Sequence, residues 1–205
     1  MKIIDLTMGI SEKTPIFPGT PKPKIKQLTS LEKNGYNVNE FTLNTHFATH
    51  IDFPCHMVHS GKNSSDFPIE KFVGEAICID VKGKKELKKD CLKNIEIKPD
   101  DMVLFYTGQT EKAYSDDFFK ENPVITEELA EELVKKKISI VGMDSFTPDN
   151  HPYSVHKIFL KKDILILENL VNLDKVKNMR FNIFVLPLKL ENIDGVQCRV
   201  IGIVK

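Results

Sequence analysis

Short apolar runs recur along the whole chain and predict a sheet-rich fold. The runs are rich in Ile, Val, Leu and Phe, a composition typical of strands. Several lack polar alternation, as expected where both faces of a strand are covered. The predicted strands are residues 2–7, 24–28, 37–45, 75–81, 102–107, 138–143, 164–168, 181–188 and 198–204.

A few stretches instead have the periodicity of helices. Residues 127–137 carry an apolar stripe that includes Leu129, with acidic residues first and lysines last, and Thr126 can cap this helix. Shorter helices are predicted at 154–162 and 115–121. Strands with interspersed helices indicate an α/β domain with a mixed sheet and flanking helices.

Composition narrows the class of protein. The chain has 205 residues, 41% hydrophobic and 28% charged, which suits one folded domain over residues 1–205. Lys+Arg and Asp+Glu both total 29, so we expect a small-molecule substrate and neither a nucleic acid nor a membrane partner. No apolar run approaches the roughly 20 residues of a membrane span, and the N-terminus does not resemble a signal peptide. Four cysteines without a CxxC pair are expected to be free thiols, so we expect a cytoplasmic protein.

Histidines cluster in one segment, HFATHIDFPCHMVH, which holds four of the six histidines of the chain. His46, His50, Asp52 and His56 occupy even positions, so an extended backbone would direct them to one side. The intervening apolar residues would then anchor the segment in the core. Imidazoles with a carboxylate and no thiolate suit Zn, Mn, Fe or a similar divalent ion with open coordination positions.

Simpler interpretations of this segment remain open. Any one of these histidines could be an ordinary surface or core residue, and a purely structural metal would also explain the cluster. His59 breaks the even spacing and is expected at the surface. Pro54 cannot donate to a sheet ladder, so regular pairing should end near it. Cys55 should point away from His56, which disfavours a thiol nucleophile.

A second group of candidate residues lies about a hundred positions further on. Glu168 ends a buried strand, where a charged group needs a partner or a metal. His156 lies near the apolar stripe of the predicted 154–162 helix, so a core histidine is the ordinary interpretation. His151, Asp144 and Asp149 lie in the same region.

The segment HFATHIDFPCH resembles the His-x-Gly-Thr-His-x-Asp-x-Pro-x-His signature of the cyclase-like metal-dependent hydrolases. This family includes bacterial kynurenine formamidase and isatin hydrolase. IIDLTMGISEKTPIFPG, DSFTPD and ILILENL resemble other parts of the family pattern, in the same order. The resemblance implies a swivelling β/β/α (cyclase-like) single domain that forms homodimers or higher homo-oligomers.

The resemblance also implies roles for individual residues. His46, His50 and Asp52 would bind one divalent metal, and Asp52 would bridge to a second site completed by His156 and Glu168. Zinc is the expected metal, with manganese as the alternative, at one or two ions per subunit. His56 would be the catalytic proton donor and acceptor.

Two positions depart from the family pattern. Ala48 replaces the usual glycine, which adds a methyl group and could constrain a positive φ. Phe17 stands where kynurenine formamidases usually carry a tryptophan that packs on the aromatic substrate, and this chain has no Trp. We expect Phe17 to bind the substrate.

The leading hypothesis is therefore a metal-dependent hydrolase of a non-peptide C–N bond, most simply an arylformamidase that converts N-formylkynurenine to kynurenine and formate in tryptophan catabolism. An isatin-type or other lactam hydrolase is the nearest alternative. A non-catalytic metal-binding member of the family is a third possibility.

Overall fold

Twelve strands and three α-helices form within residues 1–115 and 117–204, the part of the chain described by the computed structural model. The strands are β1 (Lys2–Asp5), β2 (Lys24–Thr29), β3 (Val38–Thr42), β4 (His50–Asp52), β5 (Val73–Asp80), β6 (Glu86–Leu87), β7 (Met102–Tyr106), β8 (Val124–Ile125), β9 (Ile140–Met143), β10 (Leu165–Glu168), β11 (Arg180–Pro187) and β12 (Gly195–Val204). The helices are α1 (Leu31–Asn34), α2 (Glu127–Lys135) and α3 (Ser154–Leu160).

Eight of the strands form one mixed sheet in the order β1-β12-β11-β5-β7-β9-β10-β4. Three neighbouring pairs are parallel, namely β5–β7, β7–β9 and β9–β10. The other neighbouring pairs in this order are antiparallel. Strand β4 also pairs with β12, so the sheet closes on itself. The predicted α/β fold with a mixed sheet is confirmed.

Strand β4, which closes the sheet, has a register that determines which residues of β10 and β12 lie beside its own. On one side His50 lies opposite Glu168 of β10, and on the other side Asp52 lies opposite Gly195 of β12. His50 and Asp52 are two residues apart, so their side chains leave the same face of the strand.

Two apolar layers cover the two faces of the sheet. One layer lies inside the closed sheet and includes Ile51, Leu104 and Ile183. The other packs the opposite face against α2 and α3, through residues such as Leu133 and Phe159. Strands β7, β9 and β10 are buried throughout, which is the reason that they lack polar alternation.

The helices follow the predictions at their starts more closely than at their ends. The Thr126 side chain caps α2 by accepting from the backbone N–H of Leu129. The helix ends two residues before the predicted position, and Lys137 has a φ of 57°. Helix α3 likewise ends at Leu160. Residues 117–120 of the third predicted helix form turns, and Asp116 lies outside the described residues.

Strands β2 and β3 form a separate hairpin at the predicted strands 24–28 and 37–45. Every residue of β3 is exposed, including Val38 and Phe41. The short parallel pair β6–β8 was not predicted. Among the described residues, no helix has both the length and the hydrophobicity to cross a membrane.

Candidate metal centre

Four buried polar side chains meet on the helix-covered face of the sheet. His50 and Asp52 come from β4, Glu168 from the opposing position of β10, and His156 from α3. All four residues are at most 5% exposed. Burial of so many ionisable groups is unfavourable unless they pair with one another or bind an ion.

His46 lies in a bend and not in an extended strand, and its side chain contacts this group. Residues 45–49 form bends, and Ala48 has a φ of 53°, the left-handed conformation that favours glycine. The bend turns the Ala48 carbonyl towards His50, whose Nδ1 donates to it at 2.9 Å. The expectation of one continuous extended segment is therefore wrong, although the even-numbered side chains do converge.

His56 lies beside His46, just after the chain leaves the sheet. Strand β4 ends at Asp52, and Pro54 begins a 3-10 turn that carries His56, so the prediction that pairing fails near Pro54 is confirmed. The His56 ring packs against the His46 ring with a centroid distance of 3.9 Å. Its Nδ1 lies 3.5 Å from Oδ2 of Asp194, in the loop before β12.

Three histidines each direct one nitrogen towards Asp52. His46 Nδ1 lies 2.8 Å and His50 Nε2 3.3 Å from Asp52 Oδ1, and His156 Nε2 lies 3.9 Å from Asp52 Oδ2. Nε2 of His50 and Nε2 of His156 also lie 3.3 Å and 3.6 Å from the carboxylate of Glu168. Asp52 is therefore the centre of the group.

The opposite nitrogen of each of these histidines has its own acceptor. His46 Nε2 contacts Asp194 Oδ2 at 3.0 Å, and His156 Nδ1 contacts Asp149 Oδ1 at 2.5 Å. The acceptor for His50 is the Ala48 carbonyl. An acceptor on the outer nitrogen leaves the lone pair on the inner nitrogen, which is the arrangement of metal-binding histidines.

The carboxylates give the site a strongly negative potential. Burial by itself lowers the pKa of His50, but the close carboxylates of Asp52 and Glu168, each 3.3 Å from its Nε2, outweigh burial and raise that pKa to about 10. For His46 and His156, burial again lowers the pKa, and the neighbouring carboxylates raise it to about 9 and about 10. Burial opposes ionisation of Asp52, but the charges of the histidines hold its pKa well below the usual value. A site that stabilises extra protons so strongly is suited to a cation.

His56 differs from the other histidines in its electrostatics. Burial lowers its pKa, and the nearby charge of Asp52 only partly offsets that effect. The lowered pKa favours the neutral ring, which can accept a proton.

The donor set fits a divalent cation. Among the described residues, His50 Nε2 and Glu168 Oε1 are buried without a hydrogen-bond partner. In the described part of the chain, two groups of three residues have ligand atoms within 4.8 Å of one another. One group is His46, Asp52 and His56, and the other is His50, Asp52 and Glu168. Both groups share Asp52, and nitrogen and oxygen donors of this kind suit zinc or manganese. His50 is thus grouped with Glu168, whereas the sequence resemblance groups it with His46.

An aromatic wall stands over the centre. A cavity of about 350 Å³ opens onto the histidines and is bounded on one side by Phe17, Phe119 and Phe146. The Phe17 ring lies 5.8 Å from that of Phe119 and 5.9 Å from that of Phe146, and Phe17 is 48% exposed. The cavity can therefore take a small molecule with an aryl ring.

Several of these residues were not predicted from the sequence to be part of the site. Asp194 stands alone in a polar loop, and nothing in its surroundings marks it. Asp149 was noted without a role, and Phe119 and Phe146 carry no pattern that links them to Phe17. His59 is exposed as predicted, and His151 is also exposed and away from the centre.

Comparisons with known proteins agree with this architecture. The model of a family described as "Putative cyclase" matches residues 4–150. The kynurenine formamidase of Bacillus anthracis is 33% identical over 209 residues, covering 98% of this chain and 96% of that protein. The kynurenine formamidase of Geobacillus thermodenitrificans is 31% identical, covering 94% and 92%.

Solved structures share the fold. Isatin hydrolase A from Ralstonia solanacearum superposes with a TM-score of 0.89 at 23% identity, covering 100% of this chain and 92% of that chain. A "predicted metal-dependent hydrolase" from Bacillus stearothermophilus gives a TM-score of 0.84 at 28% identity, covering 98% and 97%.

Proposed function

Because this chain belongs to the Cyclase family, we propose that it hydrolyses a carbon–nitrogen bond other than a peptide bond, with an N-formyl aryl amide such as N-formylkynurenine as substrate. The observation that carries the proposal is the convergence of three histidines, two of them fully buried, on Asp52 beneath an aromatic wall. Full-length similarity to kynurenine formamidases supports the choice of substrate.

The metal ligands in this proposal are the residues around Asp52. His46, His50 and Asp52 hold one divalent ion, and His156 and Glu168, with Asp52 shared, provide for a second. Zinc is the proposed metal and manganese the alternative. When bound, such an ion polarises a carbonyl and makes water more acidic.

His56 moves protons in the proposed reaction. Its imidazole lies at the cavity wall beside His46, and burial lowers its pKa and so favours the neutral ring, which can take a proton from the attacking water. The water oxygen bonds to the formyl carbon, the C–N bond breaks, and His56 returns the proton to the departing nitrogen. Formate and an aryl amine are the products.

Phe17 is the proposed substrate-binding residue. Together with Phe119 and Phe146 it offers an apolar surface that an aryl ring can pack against. Isatin is also a planar aryl compound, and the same wall could hold it, so lactam hydrolysis is the second candidate function. A non-catalytic metal-binding role is disfavoured because a half-buried His56 stands beside the ligands.

The remaining proposals concern the whole molecule. We propose that residues 1–205 act as one catalytic domain that functions as a homodimer or higher homo-oligomer. The exposed apolar residues of the β2–β3 hairpin supply a surface for such an assembly. The four cysteines are free, which suits the reducing cytoplasm.

Elemental analysis followed by hydrolysis assays tests the proposal. We expect bound zinc and cleavage of N-formylkynurenine that is lost on chelation and restored by zinc. Cleavage of isatin alone would move the protein to lactam hydrolysis. Bound metal with neither activity would refute both substrates, and a protein that binds no divalent metal would refute the metal centre.

A further inference from the structure

One carboxylate oxygen at the edge of the candidate site lies close to two histidines. Oδ2 of Asp194 lies 3.0 Å from His46 Nε2 and 3.5 Å from His56 Nδ1. The outer acceptors of His50 and His156, by contrast, each serve a single ring. Asp194 thus links a residue of the metal centre to the residue proposed to move protons.

The backbone fixes Asp194 in this place. Its carbonyl accepts from the N–H of Phe53 at 2.9 Å, and the next residue, Gly195, begins β12 opposite Asp52. The side chain is held on the His46 side although it is 42% exposed. Asp194 is therefore attached to the same strand that carries His50 and Asp52.

His46 also faces Asp52 with a different ring nitrogen from the other two histidines. His50 and His156 direct Nε2 towards Asp52, whereas His46 directs Nδ1. Both nitrogens of His46 face a carboxylate, Nδ1 that of Asp52 at 2.8 Å and Nε2 that of Asp194 at 3.0 Å. In the proposed centre Asp52 is taken up by the metal, so Asp194 remains as the acceptor for the ring proton, which leaves the lone pair on Nδ1.

We propose that Asp194 is a positioning residue that makes His46 bind the metal through Nδ1 and orients His56 with its Nε2 free for proton transfer. The inference rests on the proposed metal centre. It adds the residue that selects the nitrogen of His46 and aligns the neighbouring ring. Removal of such an outer acceptor lowers metal affinity by about 10- to 100-fold.

The test compares the wild-type protein with D194A and D194N, and with E191Q as the control. Glu191 is an exposed carboxylate in the same loop, so E191Q removes the same charge without touching a histidine. Zinc affinity is measured by competition with a chromogenic chelator. Long-range ¹H–¹⁵N spectra of the zinc-loaded protein identify which nitrogen of each histidine carries the metal.

We expect zinc affinity to fall about 10- to 100-fold in D194A, less in D194N, which keeps an oxygen acceptor, and not at all in E191Q. The spectra should show His46 bound through Nδ1 in the wild type, with that signal lost or mixed in D194A. Equal zinc affinity in D194A and wild type, or His46 bound through Nε2 in both, would overturn the inference.

Neither readout needs a substrate, so the two proposals can fail separately. Zinc and spectral results as expected, together with no cleavage of N-formylkynurenine or isatin by the wild type, would refute the proposed reaction and leave the role of Asp194 at His46 standing. Cleavage by the wild type together with unchanged zinc affinity in D194A would refute the role of Asp194 and leave the proposed reaction standing. A wild-type protein that binds no zinc would overturn both.

Discussion

Gly195 lies so close to His46 that the site tolerates no side chain there. A Cβ atom built on Gly195 would stand 2.6 Å from His46 Cε1 and 2.9 Å from its Nε2. Carbon atoms pack at about 3.5–4.0 Å, so Gly195→Ala must displace the ring by about 1 Å. We expect a displacement of that size to lengthen the contacts of 2.8 Å with Asp52 and 3.0 Å with Asp194 beyond hydrogen-bonding distance.

The magnitude follows from this overlap. Overpacking of this kind costs about 1–3 kcal/mol, which for a domain of this size lowers Tm by roughly 2–12 °C. Because His46 is a proposed metal ligand and would also be displaced, we expect zinc affinity to fall at least about 10-fold. Calorimetry of the metal-free protein and zinc competition measure the two effects independently.

Gly74→Ala is the matched control. Gly74 also lies in a strand, but a Cβ there would meet only Met102 Cε at 3.8 Å, an ordinary contact. We expect this variant to keep its zinc affinity and to be as stable as the wild type or slightly more so. If Gly195→Ala bound zinc as tightly as Gly74→Ala, the placement of His46 against β12 would be wrong.

Three further predictions concern single side chains. His56→Ala should lower kcat about 10²- to 10⁴-fold at unchanged zinc content, and a parallel loss of zinc would make His56 a ligand instead. Asp149→Ala removes the acceptor of His156 Nδ1 and of two backbone N–H groups at the start of α3. Zinc affinity should therefore fall about 10- to 100-fold, and the free energy of unfolding by about 1 kcal/mol. Unchanged zinc affinity would contradict this role of Asp149. Burial raises the pKa of Asp144 to about 6, although it accepts hydrogen bonds from Thr107 and Gly108. The native state therefore retains a proton that the unfolded chain loses near pH 4, and stability should fall by up to about 3 kcal/mol as the pH rises from 4 to 6. Asp144→Asn should lack this part of the pH dependence of urea unfolding, and identical slopes would refute it.

Strands that are buried on both faces were the most predictable part of the fold. Residues 102–107 and 164–168 are almost uniformly apolar, and β7 and β10 form within a residue of those limits as strands that are buried on both faces. The strands at 24–28 and 37–45 were predicted and form as β2 and β3, but their pairing in an exposed hairpin was not predicted. The residues of a strand do not show whether another element will cover its faces.

The site was predictable where its residues are adjacent in sequence or end a buried strand. His46, His50, Asp52 and His56 lie together, and Glu168 is conspicuous as a charge at the end of an apolar run. Their convergence depends on the bend at Ala48, which a period-two pattern does not contain. Asp194 could not be found because its role arises from the pairing of β12 with β4, between residues that are remote in the sequence.

That same pairing determines when the metal centre can form during folding. Strand β4 is the last link in the closed sheet, and its contacts with β12 join segments far apart in the chain, which form late because loop closure must precede them. His156 and Glu168 meet His50 and Asp52 only when α3 and β10 lie against β4, and Asp194 reaches His46 only when β12 has paired with β4. A partly folded chain therefore lacks the complete site, so the ion would stabilise the folded sheet more than incomplete or misregistered intermediates.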